Sequence, residues 1–308
     1  GFFGFCDIRN FTDLTEVLQA DVVKMVNDVA SVVHEAVCFN NGAPNKNIGD
    51  AFLLVWKAKK ATSASQTAES ALRSYISIIV ELTRNKELLR FASRHEIQDR
   101  IPGFKVRLGF GLHFGWAIEC AIGSQRKIDA SYLSPHVNMA SRLESATKMF
   151  GVAILISEAT YQLFSTPVQK KCRLIDRVTF KGSVRPMSIY TYDVPFIRKG
   201  GNGGTLSEDV CLDDNDMAHE DFFDTAKPHT SADYRHKFER AVRTYLGRQH
   251  GDGADWTEAK RMLGECLVEW PEDGAALKLL EFLQEGGQPD RPGEVPDKWE
   301  GYRRLDEK

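Results

Sequence analysis

The first 198 residues alternate between the patterns of β-strands and those of α-helices, which favours folds in which helices pack against a sheet. An apolar strand pattern over residues 2–8 leads into a long amphipathic helix pattern over residues 13–39, with Thr12 or Asp13 as its expected cap. The later patterns predict, in chain order, a hairpin over 47–56, helix over 61–95, a glycine-rich strand pair over 105–122, a helix over 135–150, a strand over 153–156, a short helix, and a hairpin over 172–194. We therefore expect residues 1–198 to form one domain.

The composition changes after residue 198. A run of Lys-Gly-Gly-Asn-Gly-Gly is followed by an acidic stretch without helical or strand periodicity, so we expect residues 199–231 to form a loosely packed linker. Helical patterns resume over residues 232–285 with a spacing similar to that of a tetratricopeptide hairpin. We expect residues 232–308 to be a small all-helical tail. A single repeat cannot bury its own apolar face, so the tail should pack on the first domain or on a protein partner.

The formal net charge of −3 is unevenly distributed, because residues 1–198 carry 25 Lys and Arg against 18 Asp and Glu, and residues 199–308 carry 15 against 25. A mildly basic first part suits a polyanionic ligand such as a nucleoside triphosphate, and a solvated surface explains the same count. The chain has no basic cluster interleaved with aromatic residues, so we expect no nucleic-acid partner.

Location is predicted from two features of the sequence. The chain has no run of about 18 apolar residues that could span a membrane. Its six cysteines are scattered without a Cys-x-x-Cys pair, which favours reduced thiols and a cytoplasmic protein. The chain starts without Met in a strand-like segment, so we expect it to be a piece of a longer protein. An upstream region would then hold any regulatory segment, or an anchor at the cytoplasmic face of a membrane.

Two aspartates, Asp7 and Asp50, each stand at the end of a short apolar run where a turn is expected. Hard divalent cations such as Mg²⁺ take carboxylate oxygens together with substrate phosphates, so two carboxylates brought side by side would suit a nucleotide-processing site. Taken alone, Gly49-Asp50 is also a common turn pair. The aspartates make the chain a candidate enzyme of phosphoryl chemistry.

Five segments together resemble the class III nucleotidyl cyclases, which make cyclic AMP or cyclic GMP. They are Phe5-Cys6-Asp7-Ile8-Arg9-Asn10-Phe11-Thr12, Lys46-Asn47-Ile48-Gly49-Asp50, Gly111-Leu112-His113-Phe114-Gly115, Val137-Asn138-Met139-Ala140-Ser141-Arg142-Leu143-Glu144, and Phe180-Lys181-Gly182. The resemblance covers residues 2–195. It implies an α+β fold with a ferredoxin-like βαββαβ order, in which helices pack on a mostly antiparallel sheet.

The resemblance implies a metal site and a phosphate site near the start of the chain. Asp7 and Asp50, with the carbonyl of Ile8, would bind two Mg²⁺ ions, for which Mn²⁺ can substitute. Phe11 and Thr12 lie where the first strand gives way to a helix, whose free N–H groups would cradle phosphate. If Thr12 serves only to cap the helix, its presence does not require a bound ligand.

By the same resemblance, Asn138 and Arg142 would be catalytic, orienting the ribose and stabilising charge on the α-phosphate. They are four residues apart on a predicted helix, so their side chains leave from one face. On an isolated helix, the same spacing would indicate an Asn and an Arg whose side chains face solvent. Lys181 matches the lysine that binds the triphosphate. Arg126 would be a second phosphate contact, a role that Lys127 could take instead.

Base choice depends on Lys46 and Ser131. Adenine offers an acceptor at N1 and donors at N6, which an ammonium group and a hydroxyl acceptor fit. Guanylyl members of the family usually carry Glu where Lys46 stands, so we expect ATP as the substrate. Ser131 departs from the aspartate of mammalian transmembrane enzymes. The segment Leu133-Ser134-Pro135-His136 also departs from the family pattern and could bring His136 near the nucleotide.

The resemblance therefore implies an adenylyl cyclase that converts ATP to 3′,5′-cyclic AMP and pyrophosphate. In this family one protomer supplies the metal-binding aspartates, and the other supplies the base-reading lysine, the Asn and Arg pair and the phosphate-binding lysine. One chain here carries both sets, so we expect a head-to-tail homodimer with two composite sites. The alternatives are a guanylyl cyclase, and a non-catalytic cyclase-like module for dimerisation or sensing.

Overall fold

The computed structural model describes residues 1–58, 63–183, 185–194, 222–288 and 291–305. The strands are β1 (Phe2–Ile8), β2 (Ala43–Ile48), β3 (Ala51–Trp56), β4 (Leu108–Phe114), β5 (Ile118–Ser124), β6 (Lys127–Leu133), β7 (Ile154–Ser157), β8 (Cys172–Phe180), β9 (Met187–Tyr192), β10 (Gly287–Gln288), β11 (Arg291–Pro292) and β12 (Arg303–Leu305). The helices are α1 (Phe11–Leu18), α2 (Val22–Phe39), α3 (Ala64–Arg84), α4 (Lys86–Ala92), α5 (His95–Arg100), α6 (Pro135–Phe150), α7 (Glu158–Tyr161), α8 (Thr166–Gln169), α9 (Phe222–Thr225), α10 (Ala232–Leu246), α11 (Trp256–Glu269) and α12 (Gly274–Glu285).

Within the described residues, eight strands form one mixed sheet in the order β12-β8-β9-β7-β4-β1-β3-β2. The pairs β4–β7 and β8–β12 are parallel, and the other neighbours are antiparallel. The elements from β1 to β4 follow a βαββαβ order, and their strands lie in the spatial order β4-β1-β3-β2 of a ferredoxin-like sheet. The predicted α+β fold is confirmed.

Strand alternation gives the sheet two different faces. Phe2 and Cys6 of β1 belong to the core that packs against α2 and α3. Phe3, on the other face of β1, packs with Leu53 of β3 and with Ala140 of α6. Because side chains alternate along a strand, Asp7 shares the Phe3 face, on which α6 lies.

Helix α6 is well defined by its ends and by a close approach to β4. Ser134 caps its first turn by accepting a hydrogen bond from the His136 nitrogen, and Pro135 stands in its first turn. Gly151, with φ 63°, ends the helix. A side chain at Gly111 of β4 would overlap the carbonyl of Ala140, so this glycine is what lets α6 pack directly on the sheet.

Two details of the predicted first helix were wrong. Helix α1 begins at Phe11, with Asn10 in the left-handed conformation (φ 59°) at its cap, so neither Thr12 nor Asp13 is the cap. The predicted helix over residues 13–39 is also interrupted, because Gln19 adopts φ 48° and a 3₁₀ turn over Gln19–Asp21 separates α1 from α2.

Two other segments are divided differently from the prediction. The helical stretch over residues 61–95 breaks at Asn85, whose side chain accepts hydrogen bonds from two nitrogens of the next turn and so starts α4. In the segment 105–122, strands β4 and β5 do not pair with each other. Strand β5 instead pairs with β6 in a separate two-stranded sheet.

The tail packs on the first domain, one of the two alternatives expected for it. Helix α10 lies against β8, and α12 lies against α6. Phe238, Tyr245 and Trp256 of the tail share a core with Phe150 and Val178 of the first domain. The tail is not wholly helical, since β12 extends the main sheet beside β8. Its likeness to a tetratricopeptide hairpin and the division of the chain into three segments stay predictions.

Most of the predicted linker, residues 199–221, lies outside the described residues. Its last part is packed, because Phe222 of α9 is fully buried in the core under the sheet and Lys171 contacts Asp224 at 2.6 Å. At the end of the acidic stretch that was predicted to be disordered or loosely packed, residues 222–224 are therefore packed. Among the described helices, none is long and apolar enough to cross a membrane.

Candidate active site

Asp7 and Asp50 lie side by side at one end of the β1–β3 ladder. Asp7 is paired with Ala51, the residue after Asp50, and the nitrogen of Ile8 donates to the carbonyl of Asp50 at 3.3 Å. Asp50 reaches this place through the tight β2–β3 turn, in which Gly49 adopts φ 66°. The hairpin predicted around Gly49-Asp50 is thus present, and it brings the two predicted metal-binding carboxylates together.

The carboxylate pair has the electrostatic character of a cation site. Burial, a hydrogen bond to Asp50 and the negative charge of Asp50 together raise the pKa of Asp7 to about 6, against the opposing charges of Lys148 and Arg9. A divalent cation between the two carboxylates would relieve that repulsion. The Ile8 side chain is buried in the core, so this residue could contribute only its backbone carbonyl.

The carboxylates of Asp7 and Asp50 fit Mg²⁺ as part of its ligand set. Among the described residues there is no group of three or more His, Cys, Asp or Glu side chains that could hold a metal ion. Mg²⁺ is commonly bound through one or two carboxylates, with water and substrate phosphates completing its octahedron. Asp7 and Asp50 match that arrangement, and they do not match an all-protein metal cage.

Helix α1 begins with Phe11 and Thr12. Phe11 lies three residues after Ile8, the last residue of β1. The Asn10 side chain makes no cap hydrogen bond to this helix, so it does not satisfy the N–H groups of the first turn. Asn10, in its left-handed conformation, turns the chain between Asp7 and that helical turn. The predicted phosphate cradle is therefore adjacent to the carboxylate pair.

Asn138 and Arg142 lie on α6, as predicted, with Asn138 exposed. The guanidinium of Arg142 donates to the carbonyl oxygen of Lys181, in the turn between β8 and β9. The structure thus brings two of the predicted phosphate-binding residues together. Between described residues of one chain, no hydrogen bond or ion pair joins the group of Asp7 and Asp50 to the group of Asn138, Arg142 and Lys181.

The base-reading candidates lie at the other edge of the sheet. Lys46 follows a bulge in β2 and is paired with Leu53 of β3, which places its side chain on the α6 face of the sheet. Ser131 is paired with Cys120 in the β5–β6 hairpin, and β6 lies against β2. Arg126 is exposed at the tip of that hairpin, about 15 Å along the strand from Ser131.

His136 contacts a second histidine. Its Nδ1 atom lies 2.8 Å from Nε2 of His113 on β4, and the two rings are stacked. Burial lowers the pKa of His113 to about 3, with a further contribution from His136. Both rings are therefore neutral near pH 7, and the pair holds the start of α6 against β4.

Sequence reasoning assigned no role to Arg9 and Glu144, although both stand inside the quoted segments. Arg9 Nη1 lies 3.3 Å from Glu144 Oε1, and the same guanidinium donates to the Thr147 hydroxyl. Burial raises the pKa of Glu144 to about 7, which the positive charge of Arg9 opposes. The opposite charges of Arg9 and Glu144 were a signal of an ion pair. Because 135 residues separate them in the sequence, no local pattern links them.

A cavity lies between the β8–β9 hairpin and the tail. Its volume is about 760 Å³, and its lining includes Arg173, Asp193, Trp270 and Asp273. Arg173 pairs with Asp193 at 2.7 Å and with Asp273 at 2.6 Å. These ion pairs join the tail to the sheet.

Comparisons with known proteins show which family residues 3–194 belong to. The model of the adenylate and guanylate cyclase catalytic domain matches residues 3–194. An adenylate cyclase of Anabaena cylindrica is 29% identical over 189 residues, which are 60% of this chain and 35% of that protein. A terminal-differentiation-specific adenylate cyclase of Dictyostelium discoideum is 29% identical over 192 residues, or 60% of this chain and 8% of that protein. The chain thus spans about a third of the first relative and less than a tenth of the second.

The crystal structure of the adenylyl cyclase CyaB from P. aeruginosa superposes with a TM-score of 0.51 at 25% identity, covering 61% of this chain and 91% of that one. Residues 3–194, which the family model matches, include strands β2 to β9, helix α6, Asp7 and Asp50. Through residues 3–194, this chain belongs to the family of adenylate and guanylate cyclase catalytic domains.

Proposed function

We propose that this chain is an adenylyl cyclase that converts ATP to 3′,5′-cyclic AMP and pyrophosphate. The observation that carries the proposal is the pairing of Asp7 with Asp50, on the sheet face that also holds Lys46 and α6. In the reaction, the bond from the ribose 3′-oxygen to the α-phosphorus forms as the bond to pyrophosphate breaks, and the hydroxyl proton leaves to water.

Asp7, Asp50 and the Ile8 carbonyl would hold two Mg²⁺ ions. Such ions would lower the pKa of the 3′-hydroxyl and neutralise the departing pyrophosphate. The uncapped first turn of α1, at Phe11 and Thr12, would bind phosphate oxygens through its N–H groups.

The remaining roles belong to side chains on α6 and on the β8–β9 turn. Arg142 and Lys181 would stabilise the charge on the phosphates, and Asn138 would orient the ribose. Because Arg142 is already held by the Lys181 carbonyl, its guanidinium is preorganised, and preorganised charge is what lowers a barrier most effectively. Arg126 would reach the phosphates only through movement of the hairpin or from a partner chain.

Lys46 and Ser131 would read the base. The ammonium group of Lys46 can donate to N1 of adenine, and the hydroxyl of Ser131 can accept from the 6-amino group. Guanine carries an N1–H and a 2-amino group in this region. Both are hydrogen-bond donors, and the ammonium group of Lys46 has no acceptor to pair with them. This chemistry favours ATP over GTP.

We propose a head-to-tail homodimer, and the β5–β6 hairpin supports it. Ile118, Ile122 and Leu133 are 55%, 45% and 58% exposed, and strand pairing puts them on one face with Ser131. The opposite face is anchored, since Glu119 binds Lys57 at 2.7 Å and Tyr132 at 3.1 Å. A second copy would cover the apolar face and bring the two groups of site residues together.

The test is product formation by the purified chain with Mg²⁺ or Mn²⁺ and either ATP or GTP, resolved by chromatography. Cyclic AMP from ATP alone is the expected result. Asp50→Ala should abolish turnover while leaving the dimer folded, and Asp99→Ala, an exposed aspartate on α5, is the matched control. Undiminished activity of Asp50→Ala would refute the two-metal site.

Two other outcomes would change the assignment. Cyclic GMP from GTP would make the chain a guanylyl cyclase. No product from a protein shown to be dimeric would favour a non-catalytic cyclase-like module. Since the substrate is a cellular nucleotide, we propose a cytoplasmic location for the chain.

A further inference from the structure

A buried ion pair connects the metal-binding end of β1 to α6. Arg9 follows Asp7 by two residues, and Glu144 follows Arg142 by two residues. Their charged groups lie 3.3 Å apart, with side-chain exposures of 17% and 7%. The bridge therefore joins the segment that carries the aspartates to the helix that carries the catalytic pair.

Several contacts fix the guanidinium of Arg9. It donates to the Thr147 hydroxyl, one turn along α6, and a side chain at Gly109 of β4 would overlap it. The backbone nitrogen of Arg9 is also held, by the carbonyl of Arg107 at 2.9 Å. Arg9 is thus fixed at both ends, so a shift of the Asp7 segment would be transmitted to α6.

The ion pair is a poor source of stability by itself. Arg9 Nη1 and Glu144 Oε1 make no well-directed hydrogen bond, and desolvating two charges costs about as much as their attraction returns. A pair of this kind is better suited to fixing a relative position than to adding stability.

We propose that Arg9 and Glu144 are positioning residues that couple the two composite sites of the dimer. This inference rests on the proposed function. In a head-to-tail dimer the aspartates of one chain serve one site, and α6 of the same chain serves the other. The bridge inside each chain then sets the position of one site's metal ligands relative to the other site's catalytic helix.

The test uses mixed dimers that contain one intact site. A chain with Asp50→Ala supplies only α6 to that site, and a chain with Arg142→Ala supplies only the aspartates. The two chains carry different affinity tags, and the mixed dimer is isolated by successive purification on both tags. Arg9→Met is then placed in one chain or the other, and the turnover number and the Mg²⁺ concentration for half-maximal activity are measured.

In the Asp50→Ala chain, Arg9 can act on the intact site only through α6. We expect Arg9→Met there to lower turnover by about tenfold, since small displacements of catalytic groups have large effects. In the Arg142→Ala chain we expect Glu144→Gln to raise the Mg²⁺ requirement, because it acts only through the metal segment. Arg9→Lys should restore part of the activity. Arg90→Met, which removes an exposed arginine paired with Glu87, is the matched control.

Turnover unchanged by Arg9→Met in the Asp50→Ala chain would overturn the coupling while leaving the cyclase assignment intact. If the mixed dimer is inactive although the unmodified dimer is active, the composite site fails, and the coupling fails with it. Should Arg9→Met prevent folding, the double change Arg9→Met and Glu144→Gln leaves no uncompensated buried charge, and it should show the same loss of turnover.

Discussion

Asp7 lies on β1 and Asp50 in the turn before β3, and they meet because the register of β1 and β3 places Asp7 opposite Ala51. The turn at Gly49 then folds Asp50 back beside it. Burial and the nearby charge of Asp50 raise the electrostatic energy of the ionised Asp7 carboxylate. The pair is therefore a site that favours a cation.

The first prediction concerns pH and metal binding. The pKa of Asp7 is raised from 3.8 to about 6, so the metal-free protein takes up a proton as the pH falls through 6. Mg²⁺ needs the carboxylate, so we expect its affinity to weaken about tenfold for each pH unit below 6. Calorimetric titration with Mn²⁺ at pH 7.5, 6.0 and 5.0 measures this, and equal affinities at all three would contradict it.

The same shift has a consequence for stability. A carboxyl group whose folded pKa is raised contributes stability below its unfolded pKa, and that stability is lost as the pH rises through the folded value. The metal-free protein should therefore gain stability from Asp7 on acidification from pH 7 to pH 5. Asp50→Asn removes the neighbouring charge, so it should reduce this dependence.

The second prediction concerns Arg142. Its guanidinium is held by the Lys181 carbonyl, and its proposed role is to stabilise charge that develops on the α-phosphate. Arg142→Ala should lower kcat by about 10²–10³. The KM for ATP should change much less, because the interaction strengthens in the transition state. Steady-state assays of cyclic AMP formation, with Arg90→Ala as control, measure both; a change confined to KM would contradict the role.

The third prediction concerns Lys46 and the choice of base. Its side chain lies on the α6 face of β2, opposite Leu53. Lys46→Glu replaces a donor by an acceptor, so it should lower kcat/KM for ATP by at least about tenfold and should not lower it for GTP. Competition between the two nucleotides measures the ratio directly. If the variant kept its full activity with ATP, Lys46 would not read the base.

Parts of the fold governed by local sequence could be predicted, as the β2–β3 hairpin and α6 show. Glycine at the β2–β3 turn takes the positive φ that the turn requires, and Ser134-Pro135 opens α6 by ordinary capping. Local rules were sufficient for the hairpin and the helix ends because each depends on neighbours in the sequence. The meeting of Asp7 and Asp50 was expected only from the family resemblance, since it depends on the pairing of β1 with β3.

Features that depend on distant residues were not predictable. The break at Gln19 was not predicted, because a periodic apolar pattern gives no sign of where a helix bends. The bridge from Arg9 to Glu144 appears only once β1 and α6 are packed. Strand β12 has three residues, two of them arginines, and it forms because the edge of β8 offers backbone partners.

The last prediction concerns how that strand holds the tail. Arg303 of β12 and Tyr245 of α10 both bind the fully buried Asp176 of β8. Burial raises the pKa of Asp176, and the charge of Arg303 lowers it, so the carboxylate depends on its partner. Arg303→Met would leave that buried charge without its cation.

We expect Arg303→Met to reduce the free energy of unfolding by about 3–5 kcal/mol, measured by urea denaturation. Arg304→Met is the matched control: it is the next residue in the same strand, and it pairs with Glu300 on the surface at 2.6 Å. An exposed pair is worth about 1 kcal/mol or less. Asp176→Asn combined with Arg303→Met should recover part of the loss. Equal effects of Arg303→Met and Arg304→Met would mean that the tail is held by its apolar contacts and that the buried ion pair contributes little.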